Sequence, residues 1–317
     1  MHGFFRMAAG AVIAAGLALP AVAQEMSIMA PAGPGGGWDQ TARSLQEALQ
    51  VEKIATNVQV VNVPGAGGTV GLAQFVNQNK GNANALIVGG YVMVGAILTN
   101  NAPVKLDQVT PIARLTGEYE AIVVPDSSDI KTMADLVEKL KADPGAVSWG
   151  GGSAGGTDHI TVGLIAKAVG VDPTKINYIP FSGGGEALAA IVGGKVTAGI
   201  SGFGEFEQQV KAGKLRVLAV SSPERLDIVD APTLKESDVD VEVQNWRGVW
   251  GAPGLTDEQK AELIGKIEKV NASETWTKTL AAKGWANTFL AGDAFADVLK
   301  TEIAQTETIL RDIGLVK

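Results

Sequence analysis

The sequence contains no cysteine. That absence excludes a disulfide framework, a thiolate metal site and the lipid-bearing cysteine of an anchored lipoprotein. Histidine is almost as scarce, with only His2 and His159. One imidazole without thiolates is a poor basis for a zinc or other transition-metal site, and no metal or cofactor is expected. Beyond the N-terminal segment no run is apolar enough to cross a bilayer, which takes ~20 residues. Basic residues are outnumbered, 26 Lys and Arg against 34 Asp and Glu, for a formal charge of −8. A surface of that sign argues against nucleic acid or anionic lipid as a partner.

Common catalytic and nucleotide signatures are missing too. Gly194-Lys195 is followed by Val196, and Ala189 stands where a phosphate-binding loop needs its first glycine. Gly150-x-Gly152-x-x-Gly155 matches the spacing of a dinucleotide fingerprint, but the next strand ends Tyr178-Ile179-Pro180 without the acidic residue that would hold a ribose. Gly151-x-Ser153-x-Gly155 has the spacing of a G-x-S-x-G elbow, but spacing alone makes no nucleophile without a triad around it. A triad drawn from Ser153, Asp158 and His159 fails geometrically, because sequence neighbours on a helix do not share a face. These absences point away from an enzyme.

What is present begins at the N-terminus. Arg6, an apolar run from Met7 to Leu19, then Pro20 and Ala21-Val22-Ala23 follow the order of a secretory signal peptide with cleavage after Ala23. Residues 1–23 are therefore read as a signal peptide, with the remainder free in the periplasm. Loss of Arg6 takes the formal charge from −8 to −9.

Glycine is abundant, 40 of 317 residues, against a usual share of ~7%. The glycines gather at four junctions between expected strands and helices. Strands are expected at Met26–Ala30, Val58–Val63, Ala85–Gly89, Ala121–Val124, Val147–Trp149, Lys175–Ile179, Val196–Ile200 and Arg216–Val220. Most are apolar throughout, as in strands covered on both faces. Capping boxes at Thr132/Asp135 and Thr256/Gln259 open helices over Met133–Lys141 and Asp257–Val270. Asp293 is expected to cap a last helix reaching toward Arg311. This alternation implies α/β layers on largely parallel sheets. The length implies two domains. Without a linker, the domains would be joined by crossing strands, for which Ala121–Pro125 and Val241–Ala252 are the candidates.

The four glycine loops are Pro34–Asp39, Pro64–Thr69, Gly150–Thr157 and Phe181–Gly185; the second and third share Ala-Gly-Gly-Thr. Glycine admits close approach of backbone N–H groups. A helix N-terminus adds unsatisfied donors and partial positive charge. Several such loops on one cleft would bind carboxylates in a negatively charged protein, although glycines also simply permit tight turns. Ser153, Thr157, Ser182 and Ser201 would add hydroxyls. Asp39 and Asp158 either sit favourably at positive helix ends or orient ligand hydroxyls and water. Trp38 is either a core plug or a cleft wall, and His159 either packs or hydrogen-bonds in the cleft. Arg247 is the best candidate for direct charge contact.

Four motifs together resemble the TctC/Bug solute receptors of tripartite tricarboxylate transporters. They are Pro34-Gly35-Gly36-Gly37-Trp38-Asp39-x-x-Ala42-Arg43, Pro64-Gly65-Ala66-Gly67-Gly68, Ser153-Ala154-Gly155-Gly156-Thr157-Asp158-His159, and Tyr178-x-Pro180-Phe181-x-Gly183-Gly184-Gly185-Glu186-Ala187. The resemblance implies a type II periplasmic-binding-protein fold, two α/β lobes joined by crossing hinge strands. Residues 24–122 with 242–317 would form one lobe and residues 123–241 the other. It implies a monomeric, non-enzymatic receptor that closes on a small organic carboxylate and delivers it to integral membrane permease subunits. A tricarboxylate such as citrate is favoured, and a C4-dicarboxylate is the runner-up. A ligand-presenting role in signalling stays open. The expected ligand-binding residues are Gly36, Gly37, Trp38, Asp39, Ala66, Gly67, Gly68, Ser153, Gly155, Gly156, Thr157, Asp158, His159, Ser182, Gly183, Gly184, Ser201 and Arg247.

Intact-mass spectrometry of protein released from the periplasm checks the first of these expectations. The mature chain should begin at Gln24, free or cyclised, and retention of residues 1–23 would contradict export.

Overall fold

The computed structural model describes residues 25–181 and 184–317. The expected signal peptide, its cleavage site and the mature start at Gln24 lie outside them, as do Ser182 and Gly183. The first half of the chain runs β1 (Met26–Ala30), α1 (Gly37–Val51), β2 (Val58–Asn62), α2 (Thr69–Gln78), β3 (Ala85–Gly90), α3 (Tyr91–Thr99), β4 (Thr110–Pro125) and α4 (Met133–Ala142). It continues through β5 (Ser148–Gly151), α5 (Thr157–Ala168), β6 (Asn177–Pro180), α6 (Gly184–Val192), β7 (Ala198–Gly202), α7 (Phe203–Lys211) and β8 (Leu215–Val220). After a long irregular stretch come β9 (Gln244–Gly251), α8 (Asp257–Asn271), α9 (Glu274–Lys283), β10 (Ala286–Ala291) and α10 (Gly292–Asp312).

Two sheets share one strand. The first sheet has the order β2-β1-β3-β9-β4, with β10 on the other side of β4; the second has β6-β5-β7-β4, with β8 also on β4. Pairing between β1 and β2, β1 and β3, β5 and β6, and β5 and β7 is parallel. All pairings of β4 and β9 are antiparallel, so the sheets are mixed rather than largely parallel. Residues Thr110–Tyr119 of β4 face β9, and Glu120–Pro125 face β7 and β8.

The expected crossing strand at Ala121–Pro125 is thus only the far end of the real one, which is longer by eleven residues at its start (Thr110). Arg114, Glu118 and Glu120 disguised the first part as polar sequence, yet Glu118 and Glu120 are buried. The second expected crossing, Val241–Ala252, needs correction. β9 lies entirely in the first sheet, and the return passes through irregular chain before Gln244. There Ser221 ties the passage together: its Oγ donates to the Val243 carbonyl (2.6 Å) and accepts from the Glu120 N–H (2.9 Å).

Both expected capping boxes form, at Thr132/Asp135 and Thr256/Gln259. Asp293 falls in the first turn of α10 and pairs with Lys260 (2.8 Å), while Ala291 occupies the cap position. β10 was not foreseen. It is half-exposed and carries a register shift between Asn287 and Leu290, so no clean alternation marks it.

In the first sheet, Phe295 of α10 packs edge-on to Trp246 (6.1 Å between centroids) and tilted on Trp250 (5.3 Å). Phe295 is 1% exposed, so Phe295→Ala removes a filled aromatic site with little room to collapse. It should cost about 3–5 kcal/mol of stability, read as a lower urea midpoint with the m-value retained.

Candidate functional site

Glycine loops from both sheets meet on one open cleft of about 910 Å³. The first loop links β1 to α1. Gly36 occupies the N-cap position, and no side chain caps the helix. The loop is closed from within: the Asp39 carboxylate accepts from Gly35 N–H (2.9 Å), from Arg43 Nε (3.0 Å) and from Asn62 Nδ2 (2.8 Å). Despite the opposing effect of burial, those hydrogen bonds hold Asp39 below the usual carboxylate range. Asp39 therefore builds the loop and does not line the cleft. Trp38 does line it, and its ring lies against Gly68, where any Cβ would collide.

The second loop has an unusual backbone. Gly65, Ala66, Gly67 and Gly68 all take positive φ (141°, 46°, 61° and 87°) ahead of α2. A side chain on Gly67 would run into the methyl of Ala96 on α3. Nothing caps α2 from a side chain either.

The third loop precedes α5 and is held by three side chains. Asp158 accepts from Gly152 N–H (2.6 Å), His159 Nδ1 accepts from Gly155 N–H (3.2 Å), and the Tyr178 hydroxyl donates to the Gly152 carbonyl (2.8 Å). His159 stacks face to face on Tyr178 with centroids 4.1 Å apart. Burial pushes His159 down to about 4, so it is a neutral acceptor at physiological pH. It supports the loop from behind and is not in the cleft wall. Gly155, at φ +73°, likewise turns away from the cleft and packs on Thr99 of α3. The positive-φ argument thus applies to Gly155 and Gly67 but not to Gly156, whose φ is −79°.

Of the expected site residues, Gly36, Gly37, Trp38, Ala66, Gly67, Gly68, Ser153, Gly156, Thr157, Asp158, Gly184, Ser201 and Arg247 border the cleft. Asp39, Gly155 and His159 stand behind it, and Ser182 and Gly183 lie outside the described residues. Sequence reasoning missed Pro31, Gly65, Phe181, Glu205, Phe206 and Asn245, which also border it. Glu205 and Phe206 lie in the first turns of α7, just past β7 and close in sequence to Ser201, whose hydroxyl was the only group expected from this junction. Asn245 stands two residues before Arg247 on the same face of β9.

Arg247 is 3% exposed and ion-paired with Glu118, whose other oxygen accepts from Trp285 Nε1 (3.0 Å). The guanidinium lies over the Trp285 ring, 5.3 Å from its centroid. Its Nη1 has no partner among the described residues, nor does the buried Thr157 Oγ1. Gly37 leaves room for this guanidinium; a Cβ there would strike it. Beneath the cleft, Glu120 is fully buried with neither oxygen hydrogen-bonded, and burial drives it well above its usual range. Burial also pushes Asp158 up to about 6. Burial, reinforced by Asp158, raises Glu205 to about 7. No cluster of His, Asp and Glu among the described residues has the arrangement of a metal centre.

Chemically, this arrangement offers helix starts without N-cap side chains and the guanidinium of Arg247 on one cleft: a set of donors for an anion. Gly67→Val should abolish ligand binding, because the β-branched side chain disfavours positive φ and meets Ala96. Calorimetric titration of the folded variant, verified by circular dichroism, checks this; unchanged affinity would remove the second loop from the site.

With that geometry in hand, known proteins provide comparison. BugT from Bordetella pertussis is 27% identical over 315 residues, spanning 96% of this chain and 95% of that protein. MatC from Rhodopseudomonas palustris, solved with bound malate, superposes with a TM-score of 0.81 at 21% identity, covering 90% of this chain and 98% of that one. Another R. palustris protein, solved with adipate, gives 0.79 at 22% identity over 92% and 97% of the two chains. These structural likenesses establish the fold, that of periplasmic binding proteins. The family model described as Tripartite tricarboxylate transporter family receptor matches residues 41–315, and the chain belongs to that family of solute-binding receptors.

Proposed function

We propose that this chain is a periplasmic receptor that captures a small organic carboxylate in the cleft and hands it to the membrane permease of a tripartite tricarboxylate transporter. The observation that carries the reading is the meeting of three helix starts without N-cap side chains, of α1, α2 and α5, with the Arg247 side chain on one cleft. Helix starts and backbone N–H groups bind anions without net positive charge, which fits a protein of charge −8. The binding residues are the cleft-bordering ones named above, with Ser182 and Gly183 proposed alongside them. Asp39, Gly155 and His159 hold the loops in place.

Export would follow cleavage after Ala23. The two lobes would meet where β4 passes Tyr119–Glu120 and where the chain returns at Val243–Gln244, close to the expected boundaries at 122 and 242. Among the described residues no helix is long and apolar enough to cross a membrane.

Between the two ligand classes, the malate and adipate carried by the structural neighbours favour a dicarboxylate over citrate. A thermal-shift panel of malate, succinate, adipate and citrate tests the proposal. At 100 times its dissociation constant a true ligand adds about 2.7 kcal/mol. Arg247→Gln should weaken that ligand by at least tenfold. Because the change leaves Glu118 buried alone, the double variant Glu118→Gln/Arg247→Gln keeps the test independent of folding. No shift with any acid would refute the carboxylate reading.

A further inference from the structure

The ionisable groups of the cleft are the wrong way round for an anion receptor. One cation, Arg247, borders it, already committed to Glu118. Two carboxyls, Asp158 and Glu205, border it as well, with Glu120 buried close behind. Asp158 has a structural task in the third loop. Glu205 has none in its own half of the molecule. It stands in the first turn of α7 and borders the cleft beside Ser201 and the start of α1 at Gly36 and Gly37. A carboxylate of the protein itself thus stands at a helix start where a ligand oxygen would go. Gly184 crowds the same group: a Cβ there would collide with Glu205 Oε2.

Resting on the carboxylate reading of the cleft, we propose that capture is proton-linked and that Glu205 is the linking residue. Ionised, Glu205 stands beside the α1 start and repels an incoming anion; protonated from solvent, it donates its own O–H to the ligand. The balance is one solvent proton added to one carboxylate, with no other bond changed. Asp158 on α5 adds negative charge, while burial holds Glu120 on β4 well above its usual range and so neutral. Glu118 on β4, against Gly202, is neutralised by Arg247 on β9. Lys283, at the end of α9, interacts with Arg247 and hydrogen-bonds Gln40. On α6, Gly184 lies against Glu205, and Glu186 stands in the first turn of the same helix.

Glu205 is raised to about 7 before any ligand arrives, by burial first and Asp158 second. A neighbouring ligand carboxylate raises it further. Affinity for a carboxylate is therefore full below about pH 7 and falls as pH rises, by up to about tenfold per unit. A cationic ligand would show the opposite slope.

The test is calorimetry with malate, adipate and citrate, one pH unit or more on either side of about 7, in buffers of different ionisation heat. The wild type should take up about one proton per malate or adipate bound above that pH. Glu205→Gln, an amide that cannot ionise and still donates, should bind at least as tightly at high pH with the uptake gone. Wild-type binding without proton uptake overturns the proposal. Uptake that persists in Glu205→Gln moves the proton to Asp158 or Glu120 and overturns the assignment. Loss of binding in a folded Glu205→Gln shows that the ionised form is the one used, and overturns it equally. Absence of heat and of thermal shift with all three acids at every pH would instead bring down the carboxylate reading, and this inference with it.

Discussion

The buried Glu118–Arg247 pair fixes the rest of the cleft. It sits where β4 and β9 run antiparallel, just before β4 leaves one sheet for the other. Desolvating two charges is expensive, and a pair of this kind stabilises little compared with apolar packing, but breaking it costs about 3–5 kcal/mol. Its value here lies in direction. Glu118 spends one oxygen on the guanidinium and the other on Trp285. The guanidinium is stacked on that same indole and left with one nitrogen unspent. Gly37 is small because the guanidinium fills the space a side chain would take. The start of α1 and the charge on β9 are thereby brought to the same point.

Around that anchor the site is mostly backbone. Negative charge at the surface does not oppose an anion bound by helix starts and left-handed turns, since those donors act within a few ångströms and are fixed by the fold. The supporting side chains share one habit. Asp39, Asp158 and His159 each accept an N–H from their own loop four to six residues earlier. The loops are rigid because helix side chains reach back to hold them.

Much of this was legible in the sequence. Glycine clusters after apolar runs marked four loops, each with residues that border the cleft, and Arg247 was found from its place near an expected crossing. What misled was chemistry that sequence order hides. His159 looked like a cleft residue because it follows Asp158, but one helix position turns it onto Tyr178. Asp39 looked like a ligand group because it opens a helix, and three local donors consume it. The first part of β4 was lost because its charged residues read as surface, whereas partners 129 residues away in the chain make such burial tolerable. Glu205 was passed over since nothing in its neighbourhood repeats a motif; only the approach of Gly37 and Gly184 gives it meaning.

The shared strand also governs how the chain can be assembled over time. β9 lies between β3 and β4, so the first sheet is split into separate pieces until Gly251 has been made. The second sheet needs nothing beyond Val220. Long-range pairings of this kind are slow to form. A chain emerging from its N-terminus would complete its second sheet while the first still waits for its keystone. The half that carries two of the glycine loops would thus stay open until four-fifths of the polypeptide is available.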